Sequence, residues 1–292
     1  MDEPGGLTEQ FEQQRPRLKA LAYRTLGSLS EADDAVQEAW IRLNRTDTSS
    51  VENLAGWLTT VVARVCLNML RSREQRREDA LDLRIPDPVI SPESGADPEH
   101  EALLADSVGL ALLVVLDSLG PAERLAFVLH DMFAVPFEEI APLVDKTPAA
   151  TRQLASRARR RVQGKAPAPE PDLTRQREVV SAFFAAARDG KLDALVGVLH
   201  PEVVLRADGA AGRARRAVTL AGAELVASQA VTFGSLSPYA RPALVNGAAG
   251  AVVIGPDGPL SVMAFTVAEG LITDITVLTD PDRLRELDLS AF

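Results

Sequence analysis

Proline placement constrains this chain more than any other feature of its sequence. Pro86, Pro88, Pro92 and Pro98 stand among Asp, Ser and Gly between Arg84 and His100, and Pro167, Pro169 and Pro171 alternate between Gly164 and Asp172. Proline has no backbone donor, so neither helix nor ladder is expected through the first stretch, and an extended, semi-rigid spacer is expected at the second. The linkers divide 292 residues into three parts, which the spacing predicts as residues 1–82, 103–163 and 174–292, joined by 83–102 and 164–173.

The first two parts read as helical throughout. Apolar residues return every three or four positions over Leu7–Leu26, Glu31–Leu43 and Gly56–Arg77, and again over Leu103–Leu116, Pro121–Phe133, Pro136–Leu143 and Pro148–Gln163. Gly27 closes the first helix, and Ser30 with Asp33 three residues on reads as the N-cap of the second. After the second linker the period changes. Helices Arg175–Asp189 and Leu192–Leu199 precede strand-like runs at Val203–Arg206, Pro242–Val245, Ala251–Ile254, Leu260–Val267 and Leu271–Leu278. Asn246-Gly247, Asp257-Gly258 and Glu269-Gly270 mark turns between the last four. The predicted fold is two all-α domains, the second with a helix-turn-helix, followed by an α+β domain with an antiparallel meander.

Composition removes several function classes. The longest apolar run, near Val108–Leu116, is far shorter than the roughly 20 residues of a membrane span, and Met1-Asp2-Glu3 does not read as a signal peptide; a cytoplasmic protein is expected. One cysteine, Cys66, allows no internal disulfide, and the three histidines are widely spaced, so no metal and no cofactor are expected. A net charge of −10 argues against a protein that coats nucleic acid unaided. Between Lys146 and Lys165, however, seven basic residues occur with no acid.

That basic block coincides with a helix-turn-helix pattern from Pro136 to Val162, its second helix capped by Thr147 with Pro148 behind it. Leu154, Ala158 and Val162 form the inward stripe, which turns Arg152, Gln153, Ser156, Arg157 and Arg160 outward, with Lys146 in the turn. Those side chains reach base edges and phosphates. In the first part Arg64, Asn68, Arg71 and Gln75 make one polar stripe, extended by Arg73, Arg76 and Arg77. Asn53 and Trp57 just before it could meet unstacked bases, although a tryptophan at such a place is more often a core anchor. On the preceding helix Asp34, Gln37, Glu38 and Ile41 point outward, an acidic face with one apolar residue that suits a protein partner.

These segments together resemble a known family. Asp33-Asp-Ala-Val-Gln-Glu-Ala-Trp-Ile-Arg-Leu43, Gly56-Trp-Leu-Thr-Thr-Val-Val-Ala-Arg64, Leu119-Gly-Pro-Ala-Glu-Arg-Leu-Ala-Phe127 and the helix-turn-helix are similar to regions 2 and 4 of extracytoplasmic-function RNA polymerase sigma factors, over residues 7–163. The remainder, with Phe183-Phe184, His200-Pro201-Glu202-Val203, Arg206-Ala-Asp-Gly209 and Asp280-Pro-Asp-Arg-Leu284, resembles the SnoaL-like cone domain fused to one subgroup of them.

The resemblance implies that Asp34, Gln37, Glu38 and Ile41 meet the β′ clamp helices of core polymerase, with the β flap as a second contact. It implies that Asn53 to Arg77 melt and read the minus-ten promoter element and Arg152 to Arg161 the minus-35 element. It implies regulation in cis through Asp208, Gly209, Asp280, Pro281, Asp282, Arg283 and Leu284, with no separate anti-sigma protein strictly required and a small molecule as candidate ligand of the cone. No catalysis is expected. Two other readings stay open at this point: a one-component ligand-responsive regulator, and a polyketide-cyclase-like enzyme using groups such as Asp208, His200, Glu224 or Tyr239.

Overall fold

A computed structural model describes residues 4–46, 51, 53–77, 85–93, 109–163, 170–209 and 217–292. They fall into two compact units: residues up to 77 with 115–163, and residues 85–93 with 109–114 and 170–292. The expected helix start at Leu103, the linker prolines Pro98, Pro167 and Pro169, and Lys165 lie outside the described residues.

In the first unit α1 (Pro4–Leu26), α2 (Leu29–Leu43) and α3 (Leu54–Arg77) pack on one another. Gly27 ends α1 at φ 68°, its N–H on the Tyr23 carbonyl. The next residue, Ser28, is extended and caps α2 by accepting the Glu31 N–H, so the cap is Ser28 rather than Ser30: the break between helices is only two residues long. The inner face of α2 is Ala32, Ala35, Val36, Ala39 and Leu43, mostly alanine, which lets the helices approach closely.

Helix α4 (Leu110–Asp117) is apolar except for its last residue. Helix α5 (Pro121–Phe127) passes into a π-helical turn, Val128–Met132, where a single α-helix to Phe133 was expected; His130 stacks on Phe137 at 3.8 Å and Val135 N–H reaches back to the Leu129 carbonyl. Then come α6 (Phe137–Ile140) and α7 (Pro148–Gln163). The fully buried Arg124 donates to Asp117 at 3.0 Å. Arg73, expected on a nucleic-acid face, instead turns inward to Glu31 and the Leu26 carbonyl.

The second unit is built on a seven-stranded sheet of order β1-β4-β5-β6-β7-β2-β3. Its strands are β1 (Ile90–Ser91), β2 (Leu199–Ala207), β3 (Val218–Ala221), β4 (Ala240–Val245), β5 (Ala248–Gly255), β6 (Gly258–Ala268) and β7 (Leu271–Leu278). The expected β4-to-β7 meander is present, and its turns at Asn246-Gly247 and Glu269-Gly270 carry the paired positive φ values that such hairpins require. One pair, β2 with β7, is parallel. Helices α8 (Leu173–Arg188), α9 (Leu192–Val198) and α10 (Ala223–Thr232) pack on one face, burying Val180, Phe183, Leu195 and Val226 against Phe265 and Ile275. A short α11 (Pro281–Glu286) closes the chain.

Strand β1 lies inside the stretch where the prolines were expected to exclude any ladder. A two-residue edge strand needs few donors, and Pro88 and Pro92 flank it without interrupting it.

Candidate functional site

In the helix-turn-helix, Asp145 adopts a left-handed turn (φ 54°), and Lys146 N–H closes back on the Ala141 carbonyl. Thr147 Oγ1 accepts from Ala150 N–H at 3.2 Å, so the predicted cap of α7 holds. Thr151, Leu154, Ala155 and Ala158 are buried, which leaves Arg152, Gln153, Arg157 and Arg160 exposed and Ser156 half-buried along the opposite side.

The cations of this helix are not equivalent. Glu123 of α5 takes both Arg157 and Arg161 at 3.0 Å, and Asp131 takes Arg159. The guanidinium of Arg152 lies 5.3 Å over the Phe137 ring. Lys146 and Arg160 are exposed and without an ion pair among the described residues. The seven-charge block is therefore partly neutralised by acids that are distant in sequence.

On α3, Arg64, Asn68 and Arg71 are exposed on one stripe as expected, and Arg71 reaches Asp145 at 3.3 Å. Asn53 accepts the Gly56 N–H at 3.0 Å and so caps α3; Trp57 is half-exposed, not a buried anchor. Asn53, Gly56 and Thr60 share a groove of about 200 Å³ with Phe133, Val135 and Pro136. On α2, Asp34 and Gln37 are exposed and Glu38 and Ile41 half-buried on the side away from the core, with Glu38 paired to Arg42 at 2.8 Å.

In the second unit Asp208 is fully engaged: its carboxylate accepts from Thr279 N–H and Oγ1–H and from Asp280 N–H. Gly209 follows at φ 76°, while residues 210–216 lie outside the described residues. Asp280 caps α11, accepting from Asp282 N–H at 2.9 Å, with Pro281 at the first helical position. Asp282 pairs with Arg285, and Leu284 is buried. Arg283 turns the other way, donating to the Ile85 carbonyl at 2.7 Å and to Asp87 at 2.5 Å.

Residues 85–93 are thus strapped to the second unit along their length. Ile90 and Ser91 pair with Val245 and Leu244, Val89 exchanges two hydrogen bonds with Asn246, and Glu93 meets Arg177 at 2.8 Å. None of His200, Glu224 and Tyr239 forms a pair with Asp208; His200 Nδ1 accepts from Glu202 N–H. The one carboxyl pushed up among these strands is Asp274, raised by burial against the opposing pull of Arg206 and Thr276. It was not anticipated.

The sequence family described as Sigma-70 region 2 matches residues 10–77, and that described as Sigma-70, region 4 matches residues 109–162. The ECF RNA polymerase sigma factor SigJ of Mycobacterium tuberculosis (strain H37Rv) is 39% identical over 293 residues, covering 94% of this chain and 92% of that protein. This chain belongs to the extracytoplasmic-function RNA polymerase sigma factors.

A probable ECF sigma factor SigI of the same species is 36% identical over 281 residues. The crystal structure of M. tuberculosis SigJ matches with a TM-score of 0.79 at 35% identity, covering 97% of this chain and 99% of that one, so the likeness includes the α+β part. This sigma factor is a transcription initiation factor that binds RNA polymerase and DNA and directs the enzyme to promoters. No described helix is long and apolar enough to cross a membrane, and no metal-binding cluster occurs among the described residues.

Cys66 of the sigma factor is buried in α3, and burial pushes its thiol up to about 12. At pH 8 the thiolate is then roughly one part in 10⁴, so Ellman's reagent is expected to leave the native protein unmodified while labelling the urea-unfolded chain fully. Rapid labelling of native protein would show that Cys66 is not held in the core.

The strap residues Ile85, Asp87, Val89 and Asn246, and the acids Glu123 and Asp131, were not singled out from sequence. Asn246 gave only a turn signal, and the acids lie outside the basic run they neutralise.

Proposed function

We propose that the α+β domain sets the activity of this sigma factor in cis by holding the chain that joins its two sigma regions. The carrying observation is the grip of Arg283 on Ile85 and Asp87, backed by the β1–β4 pairing. Residues 85–93 lie between the matched regions, which end at 77 and begin at 109. Residues 10–77 supply polymerase docking through Asp34, Gln37, Glu38 and Ile41, and minus-ten reading through Asn53, Trp57, Arg64, Asn68 and Arg71. Residues 109–162 read the minus-35 element through Lys146, Arg152, Gln153, Ser156, Arg157 and Arg160.

The two elements are centred about 25 base pairs apart, roughly 85 Å along B-DNA. Arg71 and Asp145, one from each region, stand 3.3 Å apart within one compact unit. The regions therefore separate on the promoter, and the path of the joining chain governs how far they travel.

Asp208, Gly209, Asp280, Pro281, Asp282 and Leu284 position the segment that carries Arg283. The factor works in the cytoplasm and needs no separate anti-sigma protein. Its α+β domain binds a small molecule and does not turn it over, since the Asp208 carboxylate is committed to Thr279 and Asp280. The polymerase-free regulator is disfavoured, because it gives the α2 face and the α3 stripe no task.

In transcription with core polymerase on a promoter library, Arg283→Ala in the full chain is expected to change initiation at least threefold without changing which promoters are chosen. Unchanged output would remove the strap from the mechanism, and a changed promoter set would assign Arg283 to sequence reading.

A further inference from the structure

The arginines of α7 differ in which of their nitrogens are occupied. Arg159 turns one edge of its guanidinium to Asp131, donating to the same oxygen from Nε at 2.9 Å and from a terminal nitrogen, so that edge is spent within the protein. Glu123 is arranged differently. Its Oε1 accepts from Arg157 Nε and its Oε2 from Arg161 Nη1, both at 3.0 Å. Each of these two arginines therefore gives up a single donor, and Arg157 keeps both terminal nitrogens of its fork.

The base of this arrangement is firm and its tips are wet. The Glu123 side chain is 15% exposed, on a helix that packs along α7, whereas the side chains of Arg157 and Arg161 are 51% exposed. The two arginines stand one helical turn apart and so share one side of α7. One carboxylate thus holds two guanidiniums side by side with their remaining donors toward water. An unrestrained arginine must surrender rotamer freedom when it meets an anion, and these two have surrendered much of it in advance.

The geometry suits an oxyanion that can accept from two guanidiniums at once, as a backbone phosphate does. Arg157 and Arg161 lie in the later half of α7, beyond the N-terminal residues with which such a helix reads base edges. Phosphate contacts fix the register of a protein on the duplex, and base contacts then read the sequence.

We infer that Glu123 is a positioning residue for promoter DNA, holding Arg157 and Arg161 as a two-arginine clamp on one backbone phosphate of the minus-35 element. The inference rests on the reading of α7 as the minus-35 helix. A carboxylate beside DNA that positioned nothing would only repel it, so a clamp and a bare charge predict opposite signs when the acid is removed.

The test is promoter-dependent transcription by the full chain with core polymerase. Glu123→Gln keeps the shape of the side chain and removes its charge. Initiation is expected to fall at least threefold and evenly over the promoters of a library, while binding of the same holoenzyme to random duplex does not fall. In a chain that already carries Arg157→Ala and Arg161→Ala, Glu123→Gln is expected to change initiation by less than about 1.5-fold, because nothing remains to be held. An undiminished loss in that background assigns Glu123 to the stability of the helical unit and overturns the clamp. Unchanged or raised initiation in Glu123→Gln, where Arg152→Ala with Arg160→Ala still loses it, overturns the clamp and leaves α7 on the promoter. A loss confined to promoters that share one base overturns the phosphate and places Arg157 on a base edge.

Discussion

Replacing Arg152 and Arg160 together by alanine is expected to lower initiation from a cognate promoter by roughly 30-fold or more, since each arginine contact to a base edge or phosphate is worth about 1–3 kcal/mol. Both side chains leave α7 on its exposed side, opposite the buried Thr151, Leu154, Ala155 and Ala158. Arg160 carries no ion pair among the described residues, and Arg152 is steadied only by the Phe137 ring, so neither must break a strong contact to reach DNA. Arg157→Ala is expected to cost less, because Glu123 already shares that charge with Arg161 and its removal frees the acid as well. Promoter-dependent transcription, repeated over a salt series, checks this: the double variant should also lose about two units of salt dependence. Equal activity in the double variant and the parent would mean that α7 does not face the promoter.

Asp117→Ala is expected to destabilise the helical unit by about 3–5 kcal/mol, the general cost of breaking a buried ion pair from one side. Arg124 is 1% exposed and holds Asp117 at 3.0 Å, with Arg73 also approaching Asp117 at 3.9 Å. Removing the acid takes from a buried guanidinium a carboxylate to which it donates at 3.0 Å, whereas Asp117→Leu combined with Arg124→Met replaces both charges by apolar groups of similar volume. That double variant is expected to recover most of the loss. Urea unfolding followed by circular dichroism measures both; a loss below about 1 kcal/mol for Asp117→Ala would show the pair to be solvated.

Sequence alone determined the helices α1 to α3 and α4 to α7, the helix-turn-helix with its Thr147 cap, and the β4-to-β7 meander. These features depend on local physics: apolar spacing of three and four, capping hydroxyls, and Asn-Gly or Glu-Gly pairs that accept positive φ. The outward sides of α2, α3 and α7 were legible for the same reason, since a helix fixes which residues share a face.

Tertiary structure decided everything that depends on residues distant in sequence. The inward turn of Arg73 follows from the placement of Glu31 beside it, and the partial neutralisation of α7 from Glu123 and Asp131, none of which periodicity can place. A two-residue strand at Ile90–Ser91 has too little pattern to be seen, and exists only because β4 offers it a free edge and Asn246 a buried carboxamide. The roles of Asp208 as an acceptor for Thr279 and of Arg283 as the holder of Asp87 were likewise out of reach. Each pairs groups some 70 to 196 residues apart, and such contacts are fixed by how the sheet folds, not by any local preference of the residues that make them.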